Sequence, residues 1–308
     1  MYFPYLRGKQ FELIAIRELV EHKILSHKVI PVIEPIKLSS TLKKTIDTFE
    51  KNDYEMGLIY NPCVGDEIKN QQSILTIFDN SKKVSNSLIF GYIIGHNSKT
   101  ELLQLMNRKI IINDDILLIH FTPDFVSIYD SIFSQNPPRY NLIPDQRTYA
   151  RKISKHKVIF ADHFRYKDRN ADYADDPDEF FSEDHLYYSS EDFEGFSDFS
   201  IIGAKYSEKG FRPYAVVIHI VYFDSDKGLR IKHFVSDTND DSSDTPRKFY
   251  EALTKLITWK RNKKIDTYAL RILEKYYSDQ TYPGLGALKK FSLMHHLELM
   301  SIYLEGKI

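Results

Sequence analysis

Val29-Ile30-Pro31-Val32-Ile33-Glu34-Pro35-Ile36-Lys37 is a near-continuous apolar run, and Ser39-Ser40 follows it as a helix start. Beyond that cap Leu42, Ile46 and Phe49 share one helical face, and Gly57–Pro62 opens a second apolar run. Strand, capped helix, strand is the unit of a parallel sheet, whose strands lose the polar–apolar alternation because helices cover both faces. The pattern recurs outward in both directions. The runs are Tyr2–Arg7, Val29–Lys37, Gly57–Pro62, Leu88–His96, Ile116–Phe121, Tyr140–Asp145 and Lys157–Phe164. Between them, Leu13, Ile16, Leu19 and Val20 form a stripe after Gly8-Lys9-Gln10, and Thr122-Pro123 opens a helix carrying Phe125, Ile128 and Ile132. Seven units of about 25–30 residues suit a closed eight-stranded barrel better than an open sheet.

For the eighth strand the sequence offers Tyr214–Phe223, which runs through Asp224–Gly228 into Leu229–Val235 as a β-hairpin. After Thr245-Pro246 the chain turns helical, with stripes Phe249, Leu253, Leu256 and Leu270, Leu273, Tyr277, then a last helix from Ala287 to Leu304. The expected architecture is an α/β fold, an irregular TIM-like (β/α)8 barrel over residues 1–244. It carries an acidic insertion at 165–213 and a closing β-hairpin, and C-terminal helices at 245–308 pack on it.

At 42% apolar and 14% aromatic, the 308 residues suffice for a large core, and a net charge of −1 gives no overall case for a nucleic-acid or membrane binder. The one cysteine, Cys63, forms no internal disulfide. Neither a bilayer-length apolar run nor a signal peptide is read, so a cytoplasmic protein is expected. The balance hides a partition: Arg165–Asp198 holds twelve acidic residues against three basic, and Thr245 to the end holds twelve basic against six acidic. The plainest expectation is an acidic surface loop leaning on a basic C-terminal face. A partner-docking or DNA-mimicking loop, and metal chelation, are the others.

Active sites of such barrels lie at the carboxyl ends of the strands. Those ends carry Arg7, Glu34, Asn61, His96, His120, Asp145 and the Asp162-His163 pair. Glu34 and His120 sit inside apolar runs, where an unpartnered charge is costly, so each demands a partner. Four roles compete. A divalent metal (Zn, Mn or Mg) could be held by Glu34, His120, Asp145 and Asp162. Metal-free acid–base catalysis could use Glu34 with His96 or His163. Arg7, Lys37, Arg147 and Arg165 could bind an anion. The fourth role is a structural salt-bridge network, for instance Arg7 to Glu34. No His-x-His, Glu-x-x-His or phosphate-loop spacing selects among them.

Weaker candidates follow. Cys63 stands just past a strand end, where a nucleophile could sit, but a lone cysteine is more often a packing or loop residue. Adjacent His295 and His296 point about 100° apart on a helix, so one reads as a satisfied interior histidine. Trp259-Lys260-Arg261-Asn262-Lys263-Lys264 could meet phosphates and a base, and a solvated helix end is the competing reading.

Several stretches resemble the bacterial beta-protein family, in its defence-island branch. They are Tyr2–Leu13, Pro31-Val32-Ile33-Glu34-Pro35, Phe160-Ala161-Asp162-His163-Phe164, Phe196-Ser197-Asp198-Phe199 and Met294-His295-His296-Leu297-Glu298. The resemblance runs over nearly the whole chain. It implies a barrel-like α/β domain, cytoplasmic location, and a role in defence against phage or other mobile DNA beside a small nuclease-like protein encoded by a neighbouring gene. It carries no catalytic mechanism; its matching positions are Arg7, Glu34, Asp162, His163 and Asp198. Two functions are therefore expected. One is a binding and regulatory barrel that senses a ligand, nucleotide or nucleic acid and acts through the nuclease partner. The other is a metal-assisted hydrolase of a phosphate ester or nucleotide, with the four metal ligands above, His163 as acid–base, and Arg7 and Arg165 on the phosphate.

Overall fold

The structure, a computed structural model, describes residues 1–207 and 213–308. In chain order its elements are β1 (Tyr5–Leu6), α1 (Gln10–Glu21), β2 (Val32–Ile33), α2 (Ser40–Lys51), β3 (Met56–Ile59), α3 (Gln71–Ser81), β4 (Leu88–Ile93) and α4 (Ser98–Asn107). Next come β5 (Ile116–Ile119), α5 (Val126–Phe133), β6 (Tyr140–Ile143), α6 (Arg147–Lys152), β7 (Lys157–Ala161), β8 (Asp178–Ser182), α7 (Asp184–Tyr187) and β9 (Gly195–Asp198). The chain ends with β10 (Val217–Phe223), β11 (Leu229–Val235), α8 (Thr245–Lys260), α9 (Tyr268–Asp279) and α10 (Leu285–Leu304). It forms two compact units, one of Met1–Lys9, His27–Ala161 and Asp184–Asp198, the other of Gln10–Ser26, Asp162–Glu183 and Phe199–Ile308.

The first unit is the barrel. Eight parallel strands follow one another as β1-β2-β3-β4-β5-β6-β7-β9. The ring joins at Tyr2, which bridges Val29 on one side and Phe196 on the other. The Phe3 amide donates to the Phe196 carbonyl at 2.8 Å, and the Phe196 amide donates to the Met1 carbonyl at 3.0 Å. Gly195 permits that approach, because a Cβ there would lie 2.6 Å from the Met1 oxygen. Across the lumen Tyr5 stacks on Phe160 at 5.5 Å and Phe3 meets Tyr140 edge-on at 4.9 Å. The TIM-like α/β barrel read from the apolar runs is the fold. Its local signals hold too: the Ser39 hydroxyl accepts the Leu42 amide, and Leu42, Ile46 and Phe49 are the buried face of α2.

One strand assignment is corrected. The eighth stave is β9, paired in parallel with β7 from Val158↔Gly195 to Ala161↔Asp198, and not the hairpin. The hairpin exists with the register Val217↔Val235 to Phe223↔Leu229, but its other partner is β8, in a separate antiparallel sheet ordered β10-β11-β8. The acidic stretch thus supplies one strand to each sheet. Residues 208–212 of the expected insertion lie outside the described residues.

The second unit sets that three-stranded sheet with α1, α8, α9 and α10. From Ala287 to Ser301 every residue of α10 except Lys289 and Lys290 is buried, as a helix apolar on all sides must be. The Ser236 amide donates to the Val216 carbonyl, so even-numbered residues of β10 face β11 and the Val221 carbonyl lies on the strand's outer edge. His295 of α10 caps it, with Nε2 2.7 Å from that oxygen and Nδ1 2.9 Å from Thr267 Oγ1. His295 is the satisfied interior histidine that the helix spacing called for.

Several charges of the two blocks pair within their own surroundings. Acidic residues of 165–198 pair with bases close by: Asp172 with Arg169, Asp176 with Lys167, Asp192 with Lys157, and Asp178 with Arg230 and Lys232. The C-terminal bases take their own neighbours, Arg247 with Glu251, Lys255 with Asp237 and Lys260 with Glu274. Mostly surface-exposed, such pairs contribute little stability each, and proximity decides them more than the long-range field. Among the described residues no helix is long and apolar enough to cross a membrane.

Candidate functional site

At the carboxyl end of the barrel, Glu34 is wholly buried immediately after β2. Its Oε2 accepts from the Tyr5 hydroxyl at 2.8 Å and from Arg7 Nη1, and its Oε1 accepts the Cys63 amide at 2.6 Å. Tyr5 on β1 and Arg7 just past it are two residues apart and so point the same way, both reaching the same carboxylate, and the guanidinium lies 5.2 Å from the Tyr5 ring centroid. Two loops hold the third donor in place. Gly65, at φ +83°, lies so close to Ile36 that a Cβ would fall 2.5 Å from the Ile36 Cα. The Asp66 amide donates to the Ile36 carbonyl at 2.9 Å, and the Leu38 amide donates to Glu67 Oε1 at 2.9 Å. Burial of a carboxylate is tolerable here because an opposite charge and two further donors satisfy it.

The electrostatics of this cluster keep its phenol and its thiol protonated. Burial, then the Glu34 charge, push the Tyr5 phenol far above its ordinary 10. Partial burial of the sulfur and the same carboxylate raise the Cys63 thiol, with Arg7 only partly opposing. A thiol raised in pKa is a poor nucleophile at neutral pH. The structural Arg7–Glu34 pair is therefore what the geometry displays. Asp198, at the end of β9, is similarly engaged, its Oδ1 accepting the Tyr2 hydroxyl at 2.7 Å.

The other expected site residues go elsewhere. Phe121 faces the lumen, 6.1 Å from Tyr5 and 5.7 Å from Phe160. His120, one residue earlier, turns to the opposite face of the strand and packs between Tyr129 of α5 and Tyr149 of α6. The expected sharing of a metal by Glu34 and His120 is corrected accordingly: they lie on opposite faces of the barrel wall. Asp145 is exposed. In the second unit, Asp162 accepts the Phe164 amide at 3.1 Å and the Ala204 amide at 2.8 Å, bracing the turn after β7. His163 Nε2 lies 3.3 Å from the Ser182 hydroxyl. Lys37 and Arg147 are exposed, and Arg165 in the second unit pairs with Glu179 at 3.2 Å. Among the described residues no group of three or more His, Cys, Asp or Glu side chains is placed to hold a metal.

The second unit contains a cluster that strand-end reasoning missed. His219 and His233 face each other across the hairpin with Nδ1 atoms 2.7 Å apart, and His233 Nε2 lies 3.1 Å from Glu179 Oε1. Tyr173 packs against both rings, at 4.8 and 4.7 Å. A carboxylate accepts only, so His233 carries its proton on Nε2, its Nδ1 accepts, and His219 donates from Nδ1. The result is a polar chain from buried His219 through His233 and Glu179 to exposed Arg165. Burial, then the facing imidazole of His233, hold the pKa of His219 well below 6.5; burial, against the pull of Glu179, lowers that of His233. Counting outward from the Asp224–Gly228 turn places these two histidines opposite each other, so the signal was present in the hairpin register.

The basic stretch at the end of α8 begins on a packed ring. Trp259 packs on Tyr222 at 5.1 Å and on Phe234 at 5.5 Å, anchoring α8 to the hairpin, with Lys263 Nζ 5.7 Å from the indole centroid. A shallow surface cleft of about 510 Å³ is lined by Phe249, Tyr250, Tyr282 and Arg247, the last salt-bridged to Glu251. Compared with family models, curated proteins and solved structures, the chain matches none.

Proposed function

We propose that this protein is a binding and regulatory component of a bacterial anti-phage defence system, working in the cytoplasm through a small nuclease-like partner encoded beside it. The observation that carries the reading is the state of Glu34, whose two oxygens are occupied by Arg7, Tyr5 and the Cys63 amide. A mouth built this way holds its shape and leaves chemistry to a partner. The motif stretches of the beta-protein resemblance support the same view, since Arg7, Glu34, Asp162 and Asp198 each tie backbone or side chains together. A metal-assisted hydrolase needs carboxylates and imidazoles with open lone pairs converging on one ion, and no observation favours that alternative.

Phage challenge tests the proposal. Cells carrying this gene with its neighbour should survive infection, deletion of either gene should abolish protection, and the tagged protein should co-purify with the neighbour's product. Protection by this chain alone, or failure to co-purify, would overturn the reading.

A further inference from the structure

We propose that the barrel unit binds an internal water molecule between β5, β6, α5 and α6, held by His120, Asn141 and Tyr149. Each of the three side chains is 0% exposed. Four of their polar atoms make no well-formed hydrogen bond within the protein, although the Asn141 side chain interacts with the His120 ring: His120 Nδ1 and Nε2, Asn141 Oδ1 and Tyr149 Oη. They belong together. The His120 ring lies edge-on to Tyr149 at 5.5 Å, and the Asn141 amide beside it opposes the fall in the imidazole pKa.

Native interiors pair nearly all buried polar atoms, so four unpaired on three neighbouring side chains call for a guest. The hydrogen-bonding capacities say which guest. Asn141 Nδ2 donates to the Lys155 carbonyl at 3.2 Å, which fixes the amide orientation and leaves its oxygen, a pure acceptor, to be satisfied. Burial lowers His120 to about 4, so at neutral pH the ring offers one donor and one acceptor. Burial raises the Tyr149 phenol to about 12, which keeps its hydroxyl proton. The two ring nitrogens of His120 point to opposite sides of the imidazole, so one guest meets one of them together with Asn141 Oδ1 and Tyr149 Oη. That set mixes donors with acceptors, and water, with two hydrogens and two lone pairs, answers both kinds. A metal cation would meet neither donor and finds no carboxylate or thiolate here.

A crystal structure at a resolution that orders solvent, together with unfolding of variants, tests this. The expected result is a water within about 3.2 Å of at least three of the four atoms. Tyr149→Phe, which removes one of the water's partners, should lower the midpoint of thermal unfolding by about 2–4 °C. The triple variant His120→Phe, Asn141→Leu, Tyr149→Phe should lose less than its single changes combined, because it removes the guest's whole shell. Absence of the water, or an unchanged or raised midpoint in Tyr149→Phe, overturns the proposal: dry polar atoms would be relieved by losing a hydroxyl.

Discussion

Removing one charge from a buried pair is more damaging than removing both. Glu34→Gln would remove the carboxylate charge that the Arg7 guanidinium, 8% exposed, is paired with. We expect a loss of about 3–5 kcal/mol in unfolding free energy, measured by urea titration, and a smaller loss in Arg7→Met, Glu34→Leu. The need for this pair was visible in the sequence, because a glutamate inside Val32-Ile33-Glu34-Pro35-Ile36 must find a partner. His120 misled for a definable reason. It too ended an apolar run, but strand side chains alternate, and with Phe121 facing the lumen its neighbour had to face the helices. A list of strand ends records position along the chain and ignores parity, so it merged residues from two faces of one wall.

Among the elements, β9 has the weakest signature and the most consequential place. Gly195-Phe196-Ser197-Asp198 contains one large apolar residue and lies in an acidic stretch, so neither propensity nor periodicity announces it. Its pairing is imposed by the open edges of β7 and the N-terminal strand. Seven other staves were legible because their Val- and Ile-rich runs must be buried on both faces. The hairpin was legible from its turn, whereas its third strand, β8, was hidden among carboxylates. Gly195→Ala should cost about 1–3 kcal/mol, as overpacking does, since the new methyl collides with the Met1 carbonyl. Gly95→Ala, where nothing lies within 4 Å of the added Cβ, is the control and should be near neutral by the same denaturant titration.

Across the whole molecule, buried histidines make acid a common threat to both units. His120 in the first and His295 in the second are each lowered from 6.5 to about 4 by burial. Above pH 6.5 these imidazoles are neutral whether the chain is folded or unfolded. As pH falls below 6.5 the unfolded chain takes up protons that the folded one refuses, so stability is lost progressively down to about pH 4. Each contributes about 3 kcal/mol across that window, and the depressed His219 and His233 act in the same direction. Urea midpoints should therefore fall between pH 7 and pH 5; a flat profile would contradict the neutral burial of these rings. The joint between Tyr2 and Phe196 has a different consequence, one of timing. On the ribosome, the edge at Tyr2 stays unpaired until residue 196 emerges, after a detour in which Asp162–Glu183 are committed to the other unit. No contiguous fragment contains every stave of the barrel without that detour. A nascent chain of this protein should hence be a good client for trigger-type chaperones, and stop codons placed before residue 195 should yield insoluble products instead of smaller barrels.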